Sequence, residues 1–177
     1  MKWLARLATA AVLVWLVVPE IPRYRAERAI GVATAMFGTL APRADQPEAA
    51  RDLLRVGALA LSAAPGLPGD PRPALIAGSA FLVTGQAEPA LQSYRDAFAT
   101  GERAEIDLNL GRAYVLARRP DSGEAALLRA GWISPEILSS LSPSVREVLL
   151  RRIGGLTREL HAGRLTAPPP VPSDERR

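Results

Sequence analysis

The sequence has no cysteine, and its 177 residues include one histidine, His161, and one lysine, Lys2. The lack of cysteine excludes disulfides, Cys-ligated zinc and a thiolate nucleophile. His161 stands alone near the end of a predicted helix, and no His/Glu cluster has metal-ligand spacing. No glycine-rich phosphate loop follows a strand. We therefore expect neither a cofactor nor a metal, and no group of residues meets the minimum for a catalytic site, so we expect no enzyme.

Aromatic residues are also scarce, at 5% of the chain, although 48% of the chain is hydrophobic. The apolar content is mostly Ala, Leu and Val, which suits closely packed helices. Few segments show the alternating β-branched runs that are typical of strands, so the predicted fold class is all-α. The net charge of +4 comes almost entirely from arginine. Because the arginines are scattered and no basic run alternates with aromatics, we expect no nucleic-acid partner.

The N-terminal segment, residues 1–21, has the layout of a secretory signal or a signal anchor. Lys2 and Arg6 precede an unbroken apolar run over residues 7–18, which Pro19 ends. Small residues for a cleavage site do not follow the run, so we predict an uncleaved hydrophobic anchor helix. A helix over residues 4–18 is about 22 Å long, shorter than the ~30 Å hydrocarbon layer. A cleaved signal and a helix buried in protein or lying flat on the membrane remain open.

The rest of the chain divides into four parts. Residues 22–70 are predicted to form a degenerate helical hairpin, with helices over 23–40 and 48–63, and a Pro- and Gly-rich turn closes it. Residues 71–135 contain four helices in two pairs. Residues 136–164 contain a capping helix that begins with Ser142 as cap and Pro143 in the first turn, and that Gly154 and Gly155 could kink. Residues 165–177 include three consecutive prolines and are expected to be disordered or extended.

Between the two pairs, Asp121 or Ser122 is expected to cap the helix that follows Pro120. The capping helix near the C terminus is basic and amphipathic. Its charged face is expected to meet water at the end of the stack, with an anionic lipid or an acidic partner as the alternative. The arginines concerned are Arg146, Arg151, Arg152 and Arg158, followed by Arg164.

The two helix pairs carry the same pattern of small and large residues, 33 residues apart. Small residues midway along the first helix and early in the second let the two backbones approach, and large side chains fill the space beside them. One such pair cannot bury its own apolar face, so successive pairs must stack. The first copy consists of Gly78, Phe81, Ala90, Tyr94 and Ala97, and the second of Gly111, Tyr114, Gly123, Leu127 and Ala130.

These residues resemble the tetratricopeptide repeat, whose signature is Leu-Gly, an aromatic three residues later, then Ala, an aromatic, Ala and Pro. Leu110, Gly111, Tyr114, Ala130 and Pro135 carry it in the second copy. The chain departs from it where the family often has Trp, since Ala74 and Asp107 stand there, and where Gly123 and Leu127 replace an Ala and an aromatic. The resemblance implies an antiparallel helix-hairpin solenoid behind the N-terminal anchor.

In this family the first helices of successive pairs line a concave groove that takes extended peptides or partner helices. By that resemblance, Asn109 and Arg112, one turn apart, could together hold a peptide backbone or a carboxylate. Both residues could equally be ordinary solvated side chains. The lysines with which some members clamp a C-terminal carboxylate are absent. The groove residues implied are Arg72, Leu75, Ser79, Leu82, Glu105, Leu108, Asn109, Arg112 and Val115.

The expected function is that of a non-enzymatic scaffold or adaptor that binds another protein through this groove. Residues 1–21 would anchor it in a bacterial inner membrane, and because a very short N-terminal tail usually stays inside, the repeats would face the periplasm. One alternative is a small structural accessory subunit of a larger membrane complex, since a short apolar span suits burial among other helices. A weaker alternative, by analogy alone, is an accessory factor in polysaccharide or envelope assembly.

Overall fold

The computed structural model of the protein describes Trp3, Trp15, Val18, residues 20–165 and residues 167–169. Within these ranges the chain is helical and has no β-strand, which confirms the all-α prediction. Three short 3-10 helices, Ala41–Arg43, Ala64–Gly66 and Pro135–Ser140, connect α-helices. The α-helices of these ranges are α1 Glu20–Leu40, α2 Pro47–Ala63, α3 Arg72–Val83, α4 Ala87–Phe98, α5 Ala104–Leu116, α6 Pro120–Ile133 and α7 Pro143–His161.

The helices pack in the order of the chain. Each helix from α1 to α6 lies against the next one, so that α1–α2, α3–α4 and α5–α6 form three hairpins, and α7 packs against α6. The first helices of successive hairpins also contact one another, α1 with α3 and α3 with α5. This stacking of neighbouring pairs is the arrangement expected of a helical repeat. It places α3 and α5 side by side on one face of the domain.

Glycine lets the paired helices approach closely at the positions that the repeat predicts. A Cβ atom added to Gly78 would lie 2.7 Å from Cε1 of Tyr94, and one added to Gly111 would lie 2.6 Å from Cγ of Leu127. Both glycines are buried, as the prediction required. Because protein interiors are packed as tightly as organic crystals, no larger residue fits there without displacing its neighbours.

The hydrophobic core runs through the stack in three clusters. Tyr94 and Tyr114 are fully buried in the central cluster, and the half-buried ring of Phe81 packs against both this cluster and the one formed by α1 to α3. In the third cluster, Leu138 and Leu149 cover the end of α5 and α6 that would otherwise be exposed. Leu149 is the one buried residue of α7, so this helix closes the end of the stack with most of its surface in water.

The ends of α3 and α5 share one turn geometry. Gly85 (φ +77°) and Arg118 (φ +59°), 33 residues apart, both adopt the left-handed conformation. The next residue then donates its N–H back across five residues, from Gln86 to the carbonyl of Phe81 (2.8 Å) and from Arg119 to that of Tyr114 (2.9 Å). These hydrogen bonds satisfy helix-terminal carbonyls. The repeat therefore extends into its turns, where the second copy uses an arginine in place of glycine.

Two capping predictions need correction. The helix α6 begins at Pro120, with Arg119 at the N-cap, and no side chain caps it, so Asp121 and Ser122 lie inside its first turn. Proline suits the first turn because its missing N–H needs no partner there. Ser142 occupies the N-cap of α7 as predicted, but its hydroxyl lies 3.4 Å from that of Ser144 and caps no N–H group. The helix α7 continues unbroken through its two central glycines.

The predicted N-terminal anchor lies almost wholly outside the described residues. Trp3 and Trp15 are described, and each is 75% exposed. Within the described ranges, none of the helices combines the length and the apolar character that crossing a bilayer needs.

Candidate binding groove

The predicted groove residues lie on α3 and α5, the two first helices that touch each other. Leu75 and Leu82 on α3 are half-buried and pack against the central core cluster, so each offers only part of its side chain to a ligand. Leu108 on α5 is buried in the cluster that contains Leu138 and Leu149. These three leucines therefore contribute mainly to the core beneath the groove and little to its exposed surface.

Polar side chains meet at the centre of this face. The hydroxyl groups of Ser79 and Tyr94 lie 3.2 Å apart, which joins α3 to α4. Burial raises the pKa of Tyr94 to about 12, while the hydrogen bond to Ser79 and the charge of Arg112 act in the opposite direction. Tyr94 therefore stays protonated at neutral pH, and it lies within the electrostatic reach of Arg112.

Arg112 is the central cation of the face. The guanidinium of this partly buried side chain donates from Nη1 to Oδ1 of Asn109 (3.3 Å) and from Nη2 to the hydroxyl (2.9 Å) and carbonyl (3.3 Å) of Ser140. The structure thus brings Asn109 and Arg112 together, as the spacing predicted, and adds Ser140 of the last 3-10 helix. No carboxylate of residues 20–165 or 167–169 forms an ion pair with Arg112.

The apolar end of the groove begins at Val115, which is 57% exposed. Beside it lies a cavity of about 330 Å³ between the end of α5, the start of α6 and the start of α7. The sequence analysis did not assign Val145 and Val148 of α7 to the groove. Their helical spacing gave no indication of which neighbour they face. The cavity is lined by Val115, Pro120, Glu124, Leu127, Ser144, Val145, Val148 and Leu149.

The two remaining predicted residues lie near the helix starts. Arg72 at the start of α3 donates from Nη2 to Asp70 (2.5 Å) and to Glu27 of α1 (2.8 Å), so its charge is already paired. Hydrogen bonding from Arg72 holds the pKa of Asp70 below its usual value. Glu105 at the start of α5 is exposed and lies 3.9 Å from Arg103. Neither residue joins the polar centre around Arg112.

A second charged group, which sequence reasoning missed, links the second hairpin to the linker before it. Arg129 of α6 donates from Nε and Nη2 to the carboxylate of Glu102, the latter at 2.7 Å. The hydrogen bond from Arg129 is the main cause that lowers the pKa of Glu102. Asp107 is fully buried and adds to the electrostatics of both residues. Because these residues are far apart in sequence, no local pattern indicates the group.

The groove has hydrogen-bond donors at its centre and an apolar cavity at one end. Three or more His, Cys, Asp or Glu side chains in metal-binding proximity do not occur in the part of the chain that the structure describes. A scan against protein-family models, a search of curated proteins and a search of solved structures each found no match to this chain.

Proposed function

We propose that this protein is a non-enzymatic scaffold of the tetratricopeptide-repeat type that binds another protein through the groove of α3, α5 and the start of α7. The observation that carries the proposal is Arg112, a partly buried side chain whose guanidinium has no carboxylate partner within the described chain. The side chain is only partly buried, so a ligand can reach its guanidinium. A partner's carboxylate would bind it through charge-assisted hydrogen bonds.

The neighbouring cavity defines the second feature of the partner. Arg112 and Val115 are one helical turn apart on α5, about 5–6 Å between their Cβ atoms. An extended peptide advances about 3.3 Å per residue. The groove therefore suits a segment with an acidic residue or a C-terminal carboxylate at Arg112 and an apolar side chain about two positions away, in the cavity beside Val115.

Attachment to a bacterial inner membrane through residues 1–21, with the repeats in the periplasm, belongs to the same proposal. It is supported by the sequence, in which Lys2 and Arg6 precede the apolar run. Anchoring would confine the groove to partners at or near the membrane surface.

A small structural subunit of a larger membrane complex is the second candidate. It is favoured by apolar side chains on α1 that the stack leaves exposed, namely Ile21, Tyr24, Val32 and Met36. Such side chains near the membrane-proximal end suit packing against another subunit. Support of polysaccharide or envelope assembly is a weaker candidate, because it rests on analogy alone.

Photo-crosslinking of the full chain in its native membrane tests the proposal. A photoreactive residue at position 115 should give a protein adduct, and the same residue at Leu54 on the exposed side of α2 is the matched control. The substitution Arg112→Gln should remove the adduct from position 115. An adduct that is insensitive to Arg112→Gln, or one that appears equally from position 54, would contradict binding through the groove.

Extraction in mild detergent followed by sizing separates the two candidates. A stable large complex that survives Arg112→Gln would favour the structural subunit. A monomer that captures its partner only through Arg112 would favour the scaffold.

A further inference from the structure

The chain returns to the helix stack after α7 ends. Gly163 (φ +67°) reverses its direction, and the N–H groups of Arg164 and Leu165 donate to the carbonyl of Glu159 at 2.9 and 3.2 Å. The segment that follows lies in a groove between α6 and α7. Pro169 is buried there, and its carbonyl accepts a hydrogen bond from Nη1 of Arg129, which is 40 residues away in the sequence.

Arg129 is held in position for this contact. Its Nε and Nη2 are bound to the carboxylate of Glu102, so that Nη1 remains for the carbonyl of Pro169. The side chain of Arg129 is 15% exposed. A donor fixed in this way loses little conformational freedom when it binds a ligand.

The groove is open enough to hold more than the segment now seated in it. A cavity of about 440 Å³ remains between the helices and the segment. Leu128, Gly155 and Leu156 supply apolar surface, and Asp121, Glu124 and Glu159 supply carboxylates. The Arg152–Glu124 ion pair lies at the border with the cavity beside Val115, because Glu124 lines both cavities.

These features match the chemistry of a proline-rich segment. Proline has no N–H group, so its carbonyl is the one backbone group that needs a partner, and Arg129 supplies it. Proline-rich chains are extended before they bind, and they present their rings to shallow apolar grooves. Pro168 and Pro169 line the groove, and the sequence continues with Pro170 and Pro172.

We propose that the groove between α6 and α7 is a binding site for an extended proline-rich segment, and that the tail of this chain, through Pro168 and Pro169, is its intramolecular ligand. The site is distinct from the groove around Arg112, and the proposal does not depend on the function of that groove. A tethered ligand competes at an effective concentration of about a millimolar. The tail therefore limits access of any other proline-rich segment to this site.

Competition by a peptide in trans tests the proposal. The probe is a fluorescein-labelled synthetic peptide with the sequence of residues 163–177, and its anisotropy is followed during titration with the full-length chain. A variant with both Pro168→Asp and Pro169→Asp releases its own tail while the helices remain intact by circular dichroism. We expect this variant to bind the peptide about tenfold more tightly than the wild-type chain, because the competing tail has been removed.

Two controls locate the binding. In the released variant, Ala125→Trp fills the apolar side of the groove from an α6 position that lines it, and it should abolish binding. A peptide with its prolines replaced by alanine should bind at least tenfold more weakly. Equal affinity of the wild-type and released chains, no binding to either, or binding that survives Ala125→Trp would overturn the proposal.

Discussion

The hairpins α3–α4 and α5–α6 have the same architecture, yet different side chains close them. In the first, Gly78 lies under the ring of Tyr94, whose atoms are the three nearest to an added Cβ, from 2.7 Å. In the second, Gly111 faces Leu127 at 2.6 Å and the backbone oxygen of Gly123 at 3.1 Å. One hairpin is therefore closed by an aromatic ring, and the other by a leucine side chain together with a close approach of backbone to backbone.

The difference shows how a repeat keeps its packing while its residues change. Where the first copy has Ala90 and Tyr94, the second has Gly123 and Leu127, and a Cβ added to Gly111 would meet both of these. The contact is mutual, since a Cβ added to Gly123 would lie 3.1 Å from the carbonyl oxygen of Gly111. A ring can shift when it is crowded, whereas a backbone carbonyl in a helix cannot.

The largest loss of stability is expected at Gly111, where the two backbones approach each other. Gly111→Val should lower the free energy of unfolding by about 3 kcal/mol, because the new side chain meets both Leu127 and the carbonyl of Gly123. Urea unfolding followed by circular dichroism measures it. The control is Gly31→Ala in α1, where an added Cβ meets nothing within 4 Å. That variant should be as stable as the wild type or up to ~1 kcal/mol more stable.

A smaller loss is expected at the ring contact. Gly78→Ala should cost about 1–2 kcal/mol, because Tyr94 can tilt away at the expense of its packing and its hydrogen bond to Ser79. The same urea titration measures it, alongside Gly111→Ala. A cost for Gly78→Ala greater than that for Gly111→Ala would reverse the proposed difference between the hairpins.

The linkers before the two hairpins offer a second comparison, since Asp70 pairs with Arg72 in one and Glu102 with Arg129 in the other. Arg129 lowers the pKa of Glu102 in the folded state below its ordinary value of 4.5. The pair therefore stabilises the fold above that pH, and the contribution is lost as the pH falls through the lowered pKa. Glu102→Gln should cost about 1 kcal/mol at neutral pH.

The measurement is the free energy of unfolding of wild type and Glu102→Gln from neutral pH to about pH 3. The two curves should converge at the acid end. Glu105→Gln is the control, because the ion pair of Glu105 is long and exposed and should contribute close to nothing. A difference between wild type and Glu102→Gln that is independent of pH would contradict the linkage.

The smallest change in stability is expected at the turns that end α3 and α5. Arg118→Gly should raise the free energy of unfolding by about 0.5–1 kcal/mol, because glycine adopts the left-handed conformation without the steric cost that Arg118 bears. The reciprocal change, Gly85→Ala, should lower it by a similar amount. Thermal unfolding of both variants checks the pair, and the same sign for both would show that the two turns are not equivalent.

Much of the fold follows from local pattern. Proline and glycine spacing predicts the seven described helices in their order, and the repeat predicts that Gly78 and Gly111 are buried. Both signals depend on residues that are close in sequence, so helical periodicity is visible in the sequence itself. The side chain of Arg118, in contrast, gives no sign of its left-handed backbone, because arginine seldom adopts it.

The candidate groove and the charged group around Arg129 were less predictable. The contact of Arg112 with Ser140 and that of Arg129 with Glu102 join residues 28 and 27 positions apart. Such pairs are brought together by the stacking of hairpins, which a single sequence does not encode as a spacing. For the same reason, the contribution of α7 to the groove and the seating of Pro169 emerge only from the tertiary arrangement.

A double-mutant cycle between Gly111 and Leu127 tests most directly whether the hairpins close through glycine positions filled by a facing side chain. The measurement is the free energy of unfolding of Gly111→Ala, Leu127→Ala and the double variant. If the methyl group added at position 111 collides with Leu127, truncating that leucine relieves the collision, and the two changes should couple by about 1 kcal/mol or more. Strict additivity of the two single costs would contradict the proposed packing.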